Sequence, residues 1–251
     1  VKTNPQVDRK ELLARIMCGE VMTNGERLRD PKALVEHDAL ITMQVPGRFV
    51  SRGGEKLAHA LSVFNINPAG KTFLDAGAST GGFTDCLLQS GAARVYAIDV
   101  GYCQLDYRLR RDVRVAVMEK TNITSCKPEM FAPPPDMAVM DLSFRSLRGA
   151  ASHCISLTQE KKVIALIKPQ FEWQNPDEDF SGIVNDPKAR AVILVKLVQD
   201  LHSEKVFLID CTFSPILGRK GNKEYFFLLG VAERMPLAEC IARIEALARK
   251  A

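Results

Sequence analysis

Phe73-Leu74-Asp75-Ala76-Gly77-Ala78-Ser79-Thr80-Gly81-Gly82-Phe83-Thr84-Asp85 is the stretch that decides the fold. An apolar run ends in an acid, crosses a turn of small residues and glycine, and enters a segment whose apolar residues (Phe83, Leu87, Leu88) recur at helical spacing. That order predicts a strand, a tight turn and a helix. The turn lacks the G-x-G-x-x-G spacing that lets backbone approach a pyrophosphate, because the glycines after Gly77 are Gly81 and Gly82. It also lacks the Gly-Lys-Ser/Thr ending of a P-loop. An acid just before such a turn suits a positively charged ligand, for example one with amino and sulfonium groups. An ordinary strand-to-helix turn, with glycine used for close packing, is the alternative.

Beyond this turn, strands and helices alternate. Strands are expected at 73–75, 95–99, 113–117, 137–141 and 163–168, with the clearest helices over 82–90 and 146–157. Such alternation predicts a parallel sheet covered by helices on both faces. Asp186-Pro187 reads as the capping acid and first-turn proline of a helix reaching His202. Val206 to Phe213 and Tyr225 to Val231 read as antiparallel neighbours at the sheet edge, and Pro236 to Lys250 as a closing amphipathic helix. Four of the strands end in a charge: Asp75, Asp99, Asp141 and Lys168. Ligands of open parallel sheets lie outside the carboxyl ends of the strands, so these four are expected around one crevice. Asp99 is placed to accept hydrogen bonds from both ribose hydroxyls of an adenosine, and Asn122, in Glu119-Lys120-Thr121-Asn122, to meet the adenine edge. Lys168, kept extended by Pro169, should face Asp141, either as a salt bridge or as a lysine oriented to act on an acceptor hydroxyl.

At 251 residues, 46% hydrophobic and 25% charged, the chain can bury a large core and reads as a soluble globular protein. A net charge of +4 permits a nucleic-acid partner without demanding one. Seven scattered cysteines with no C-x-x-C read as reduced thiols of a cytoplasmic protein, and no metal site is expected. No apolar run approaches the ~18 residues of a membrane helix, so membrane insertion is not expected.

Residues 1–45 read as a separate module: a helical stripe (Leu12, Leu13, Ile16, Met17) stopped by Gly19, a strand at Val21–Thr23, an Asn24-Gly25 turn and a strand at Ala39–Met43. A linker punctuated by proline and glycine follows at 46–54. Lys10, Arg15, Arg27, Arg29 and Lys32 in the module form either a basic face for RNA phosphates or a solvated surface, and Arg48 and Arg52 in the linker, with an aromatic between them, sit against RNA or against the neighbouring domain. Lys56 falls near the first turn of a helix expected over 55–64, where the positive end of the helix dipole disfavours a cation. That mismatch marks it for a task.

Ser51-Arg52-Gly53-Gly54-Glu55-Lys56-Leu57, the run from Asp75 to Thr84, Met140-Asp141-Leu142-Ser143-Phe144, Ile167-Lys168-Pro169-Gln170-Phe171-Glu172 and Gly182-Ile183-Val184 together resemble the TlyA family. Its members, also called hemolysins, are S-adenosylmethionine-dependent ribosomal RNA 2'-O-methyltransferases with an FtsJ-like catalytic fold. The resemblance implies a Rossmann-like α/β methyltransferase domain over 55–251, with a mostly parallel seven-stranded sheet and an antiparallel edge strand. It also implies a partial S4-like α+β RNA-binding module over 1–45, since residues 10–41 resemble the later part of an S4 domain. S-adenosylmethionine is then the implied cofactor, held by Asp75, Gly77, Ser79, Thr80, Gly81, Gly82, Asp99, Asn122 and Asp141, with ribosomal RNA or ribosomal subunits as partners. Carried over by position, the family's catalytic tetrad falls on Lys56, Asp141, Lys168 and, in Gly221-Asn222-Lys223-Glu224-Tyr225, Glu224. The competing readings are a non-catalytic RNA-binding protein, a directly lytic protein and a nicotinamide enzyme, the last disfavoured by the glycine spacing. Purified protein is expected to leave dye-loaded liposomes intact; leakage would support the lytic reading.

Overall fold

The computed structural model describes residues 9–43, 47–143, 146–174, 180–218 and 220–250. The expectations for Pro46 and Phe144, and for the side chain of Lys10, lie outside the described residues. A small N-terminal unit comprises α1 (Arg9–Met17), β1 (Val21–Thr23), β2 (Glu26–Leu28) and β3 (Ile41–Met43), with strand order β2-β1-β3 and both pairings antiparallel. Asn24 and Gly25 both take positive φ, as a two-residue hairpin turn requires. The strand expected at 39–43 is shorter, and β2, on the other side of β1, is too brief to announce itself by alternation.

Then follow α2 (Arg52–Val63), β4 (Thr72–Ala76), α3 (Gly82–Gln89), β5 (Arg94–Ile98), α4 (Tyr107–Arg111), β6 (Val115–Met118), β7 (Met137–Met140), α5 (Ala150–Ser156) and β8 (Lys162–Ile167). The chain ends with α6 (Pro169–Glu172), α7 (Pro187–Ser203), β9 (Phe207–Phe213), β10 (Tyr225–Gly230) and α8 (Leu237–Lys250). Seven strands form one sheet in the order β6-β5-β4-β7-β8-β10-β9. The first five pair in parallel, and β10 runs antiparallel to both β8 and β9. The reversed strand is therefore one position in from the edge, and β9 is outermost.

Alternation along the strands separates two cores. Leu74, Ala76, Met140, Ile167 and Tyr225 pack with Cys154, Leu194 and Ile244 of α5, α7 and α8. Phe73, Val139, Leu166 and Phe226 pack on the other face with Leu57 and Leu61 of α2 and Phe83 and Leu87 of α3. The same parity turns Asp75, Asp141, Lys168 and Glu224 toward the α2 face. Helix α2 begins at Arg52, capped by the Ser51 side chain, and Phe49 is buried in this core, so the body starts several residues before Glu55.

The N-termini of α2 and α3 cross closely: a Cβ on Gly82 would strike Ser51 Oγ and come 3.0 Å from Gly54 N. On the other side of the turn, a Cβ on Gly81 would collide with Leu109 and lie 2.8 Å from Leu105 Cδ1, and Gly81 has φ of 96°. Gly81→Ala is expected to cost more than the ~1–2 kcal/mol of placing a Cβ at positive φ. Gly149→Ala, at φ of 70° with open space around it, should cost only that backbone amount. Urea unfolding of the two variants checks the difference.

Candidate active site

The carboxyl ends of β4, β7 and β8 and the amino end of β10 open onto a cavity of about 580 Å³. Lys56, Asp141, Lys168 and Glu224 all line it. Register brings them there. Ala76 pairs with Met140, placing Asp141 just past the strands, and Ile167 pairs with Tyr225, so Lys168 and Glu224 meet at adjoining strand ends.

The four charges form two ion pairs. Lys56 Nζ donates to Glu224 Oε2, with both side chains almost wholly buried. Lys168 Nζ lies 2.6 Å from Asp141 Oδ1, and donates to Leu142 O at 3.3 Å and Ser143 Oγ at 3.1 Å. Two acceptors therefore take N–H groups of Lys168, and the Asp141 carboxylate stands beside the ammonium as its counter-charge.

Two clamps fix the loops that carry these residues. Asn222, buried, accepts from Val184 N at 2.9 Å and donates to Gly182 O at 2.8 Å, tying the segment before α7 to the loop before β10. Glu172, also buried, accepts from Ser146 Oγ at 2.6 Å, Leu147 N at 2.9 Å and Arg148 at 2.9 Å, tying the loop after β7 to α6. Burial raises the Glu172 carboxyl above its usual range, while Ser146, Leu147 and Arg148 pull the other way. Sequence reading missed both clamps, because an isolated Asn or Glu in a loop has no period to reveal it.

The glycine turn divides into residues that face the cavity and residues that support them. Gly77, Ser79, Thr80 and Gly82 line it with Asp141, whereas Asp75, Gly81, Asp99 and Asn122 do not. A Cβ on Gly77, which has φ of 87°, would strike the Asp141 carbonyl. Gly77 N and Ala78 N donate to Ile98 O at 2.8 and 3.0 Å, Ser79 N to Asp99 Oδ2 at 2.8 Å, and Gly81 N to Ala78 O at 2.7 Å. These four amides are engaged, so a phosphate, which needs free N–H donors, would find only those of Thr80 and Gly82 in the turn. A cationic ligand makes no such demand.

Asp99 also accepts from Gly101 N at 2.6 Å, so its carboxylate braces the loops after β4 and β5. Asn122 caps a 3-10 turn through Thr124 N at 3.1 Å and is exposed. Asp75 is wholly buried beneath the turn, accepting from Thr84 Oγ1 at 2.6 Å, and its Oδ1 has no hydrogen-bond partner among the described residues. Burial pushes its carboxyl up to about 7, with Asp141 and Asp99 adding to the rise and the Thr84 bond opposing it. A buried acid with an open acceptor under a turn poor in free donors fits a positively charged cofactor.

Residues 49–231 match the model of the FtsJ-like methyltransferases. The chain belongs to that family. TlyA of Mycobacterium tuberculosis, named a 16S/23S rRNA (cytidine-2'-O)-methyltransferase, is 38% identical over 88% of this chain and 84% of its own. Hemolysin A of Brachyspira hyodysenteriae is 40% identical over 84% of this chain and 88% of its own. A solved structure from Streptococcus thermophilus, also hemolysin-named, superposes with a TM-score of 0.71 at 34% identity, covering 97% of this chain and 92% of that one.

In this FtsJ-like chain, the residues expected to meet RNA are dispersed. Arg52 lines the cavity mouth; Arg48 is exposed and lies over the Phe49 ring at 4.7 Å; Arg27 is exposed on β2; and Arg15 belongs to α1. The N-terminal unit rests on the residues around α4, where Glu20 pairs with Arg108 at 3.0 Å and Cys18 Sγ donates to Asp106 at 3.5 Å. Among the described residues, no cluster of three or more His, Cys, Asp or Glu could hold a metal, and no helix is long and apolar enough to cross a membrane.

Asp75 sets a pH dependence. Its carboxyl is raised from an ordinary 3.8 to about 7 in the folded protein, so between these values the folded chain binds a proton that the unfolded chain releases. Asp75 therefore lowers stability progressively as pH rises from about 4 to about 7. Asp75→Asn should flatten that part of the profile. Urea midpoints from pH 4 to 8 that run parallel in the two proteins would assign the slope elsewhere.

Proposed function

We propose that this chain methylates a ribose 2'-hydroxyl of ribosomal RNA, with S-adenosylmethionine as methyl donor. The observation that carries the reading is the pair of lysine–carboxylate contacts, Lys56–Glu224 and Lys168–Asp141, in one cavity beside the glycine turn. The names of its relatives, such as the 16S/23S rRNA (cytidine-2'-O)-methyltransferase TlyA, point to the same substrate.

When bound, S-adenosylmethionine supplies a methyl group on a positively charged sulfur. The residues for its side of the cavity are Gly77, Ser79, Thr80, Gly82 and Asp141, with Asp75 beneath the turn adding negative charge once its proton is lost and Asp99 holding Ser79 in place. A ribose hydroxyl is a poor nucleophile at neutral pH, and negative charge grows on its oxygen as its proton is lost. Lys168, anchored by Leu142 O and Ser143 Oγ beside the Asp141 carboxylate, would stabilise that charge while the methyl carbon exchanges its bond to sulfur for one to the ribose oxygen, the hydroxyl proton being released to solvent. Lys56 supports the acceptor from the α2 side, while Asp141 and Glu224 fix the two lysines. The N-terminal unit is the S4-like part of this reading, with Lys10, Arg15 and Arg27, and then Arg48 and Arg52, meeting phosphates.

The test is transfer of radiolabelled methyl from S-adenosylmethionine to purified ribosomal subunits and to naked ribosomal RNA. Lys168→Ala should lower kcat by on the order of 10² to 10⁴ while cofactor affinity survives. Loss of cofactor binding in that variant would make Lys168 a structural residue, and a wild-type protein that binds no S-adenosylmethionine would end the proposal.

A further inference from the structure

The charges that line the cavity do not balance. Lys56 is matched by Glu224 and Lys168 by Asp141, but Arg52 and Lys220 line the same cavity without a carboxylate partner among the described residues. An S-adenosylmethionine molecule, with an ammonium, a sulfonium and one carboxylate, is itself a net cation. Two unmatched cations therefore disfavour the cofactor where they stand and favour an anion.

The mount of Lys220 is also built. Gly221 N donates to Gly218 O at 2.9 Å and Gly218 N to Asn222 O at 2.9 Å, closing a tight turn with Lys220 near its tip. Asn222 is in turn held to Gly182 and Val184. Gly218 packs closely on Glu224, where an added Cβ would lie 3.2 Å from the carboxyl carbon. Lys220 is exposed on this fixed support, and its Nζ lies 3.8 Å from where a Gly182 Cβ would be. Arg52 stands in the first turn of α2, one helical turn before Lys56. Phe171 and Phe180 line the same cavity, and Phe180 is braced edge-on by Trp173 at 4.9 Å between centroids. A cavity lined by both cations and aromatic rings suits a nucleotide better than a small acid.

We infer that Lys220 and Arg52 form a phosphodiester-binding subsite that grips the RNA backbone next to the acceptor ribose. This rests on the RNA methyltransferase reading and adds to it the residues that seat the substrate in the cavity. The subsite acts on substrate binding, leaving the chemical step to Lys168 and its partners.

The experiment compares wild type with Lys220→Gln, Arg52→Gln and the double variant, using purified bacterial ribosomal RNA in methyl-transfer assays and a fluorescent single-stranded oligoribonucleotide in binding assays, each over a range of KCl. Each single variant should raise KM for RNA about tenfold, with kcat within about twofold of wild type and S-adenosylmethionine affinity unchanged. Each should also reduce the steepness of log affinity against log salt by about 0.7, the counterion share of one single-strand phosphate contact. Lys196→Gln, which removes a cation of α7 outside the cavity, should change neither quantity. Variants that keep wild-type KM and salt slope while the wild type methylates RNA would overturn the subsite alone. A wild type that binds S-adenosylmethionine but labels no RNA would overturn the underlying reading, and the subsite with it.

Discussion

A buried ion pair between Lys56 and Glu224 is the contact on which the rest of the arrangement depends. The two residues are 168 positions apart, and both are nearly inaccessible to water. A buried ammonium or carboxylate left alone is costly, and breaking such a pair by removing one partner typically costs about 3–5 kcal/mol. The pair is therefore a strong constraint on where α2 and β10 may sit, even though a well-packed apolar pair would serve stability as well. It can form only because α2 approaches the sheet closely, which the crossing at Gly54 and Gly82 allows.

From that constraint the cavity follows. Once α2 is fixed over the sheet, strand parity points Asp141 and Lys168 at it from neighbouring strands, and Asn222 and Glu172 lock the loops that continue from them. The second pair, Lys168–Asp141, is less buried than the first. The two pairs thus differ in setting: one is sealed into the frame, and the other is more open to the cavity. The glycines of the turn are also divided, with Gly77 letting the Asp141 backbone come close and Gly81 admitting the side chains of Leu105 and Leu109.

Much of this was legible before any coordinates. The β4–turn–α3 stretch, the five parallel strands, the Asp186-Pro187 start of α7 and, of the four strand-end charges expected around one crevice, the meeting of Asp141 and Lys168 follow from periodicity and from charge at strand ends. The short elements β2, α4 and α6 span 3, 5 and 4 residues, too few for a period to register. Burial was the other blind spot. A strand-end acid looks the same in sequence whether it meets a ligand or lies under a turn, so Asp75 and Asp99 read as ligand contacts although the structure gives them bracing positions. Asn222 and Lys220 sit in a loop between strands, and only the fold shows that this loop closes the cavity wall.

The reversed direction of β10 has a consequence for the order in which the molecule is completed. Parallel strands deliver their charges as they end, but β10 delivers Glu224 as it begins, after more than two hundred residues have already been made. During synthesis, Lys56, the glycine turn, Asp141 and Lys168 all emerge before their last member. Until the β9–β10 hairpin joins the sheet, α2 can dock through Leu57 and Leu61, but Lys56 has no counter-charge. The fold thus makes the four assembled charges a mark of a completed sheet.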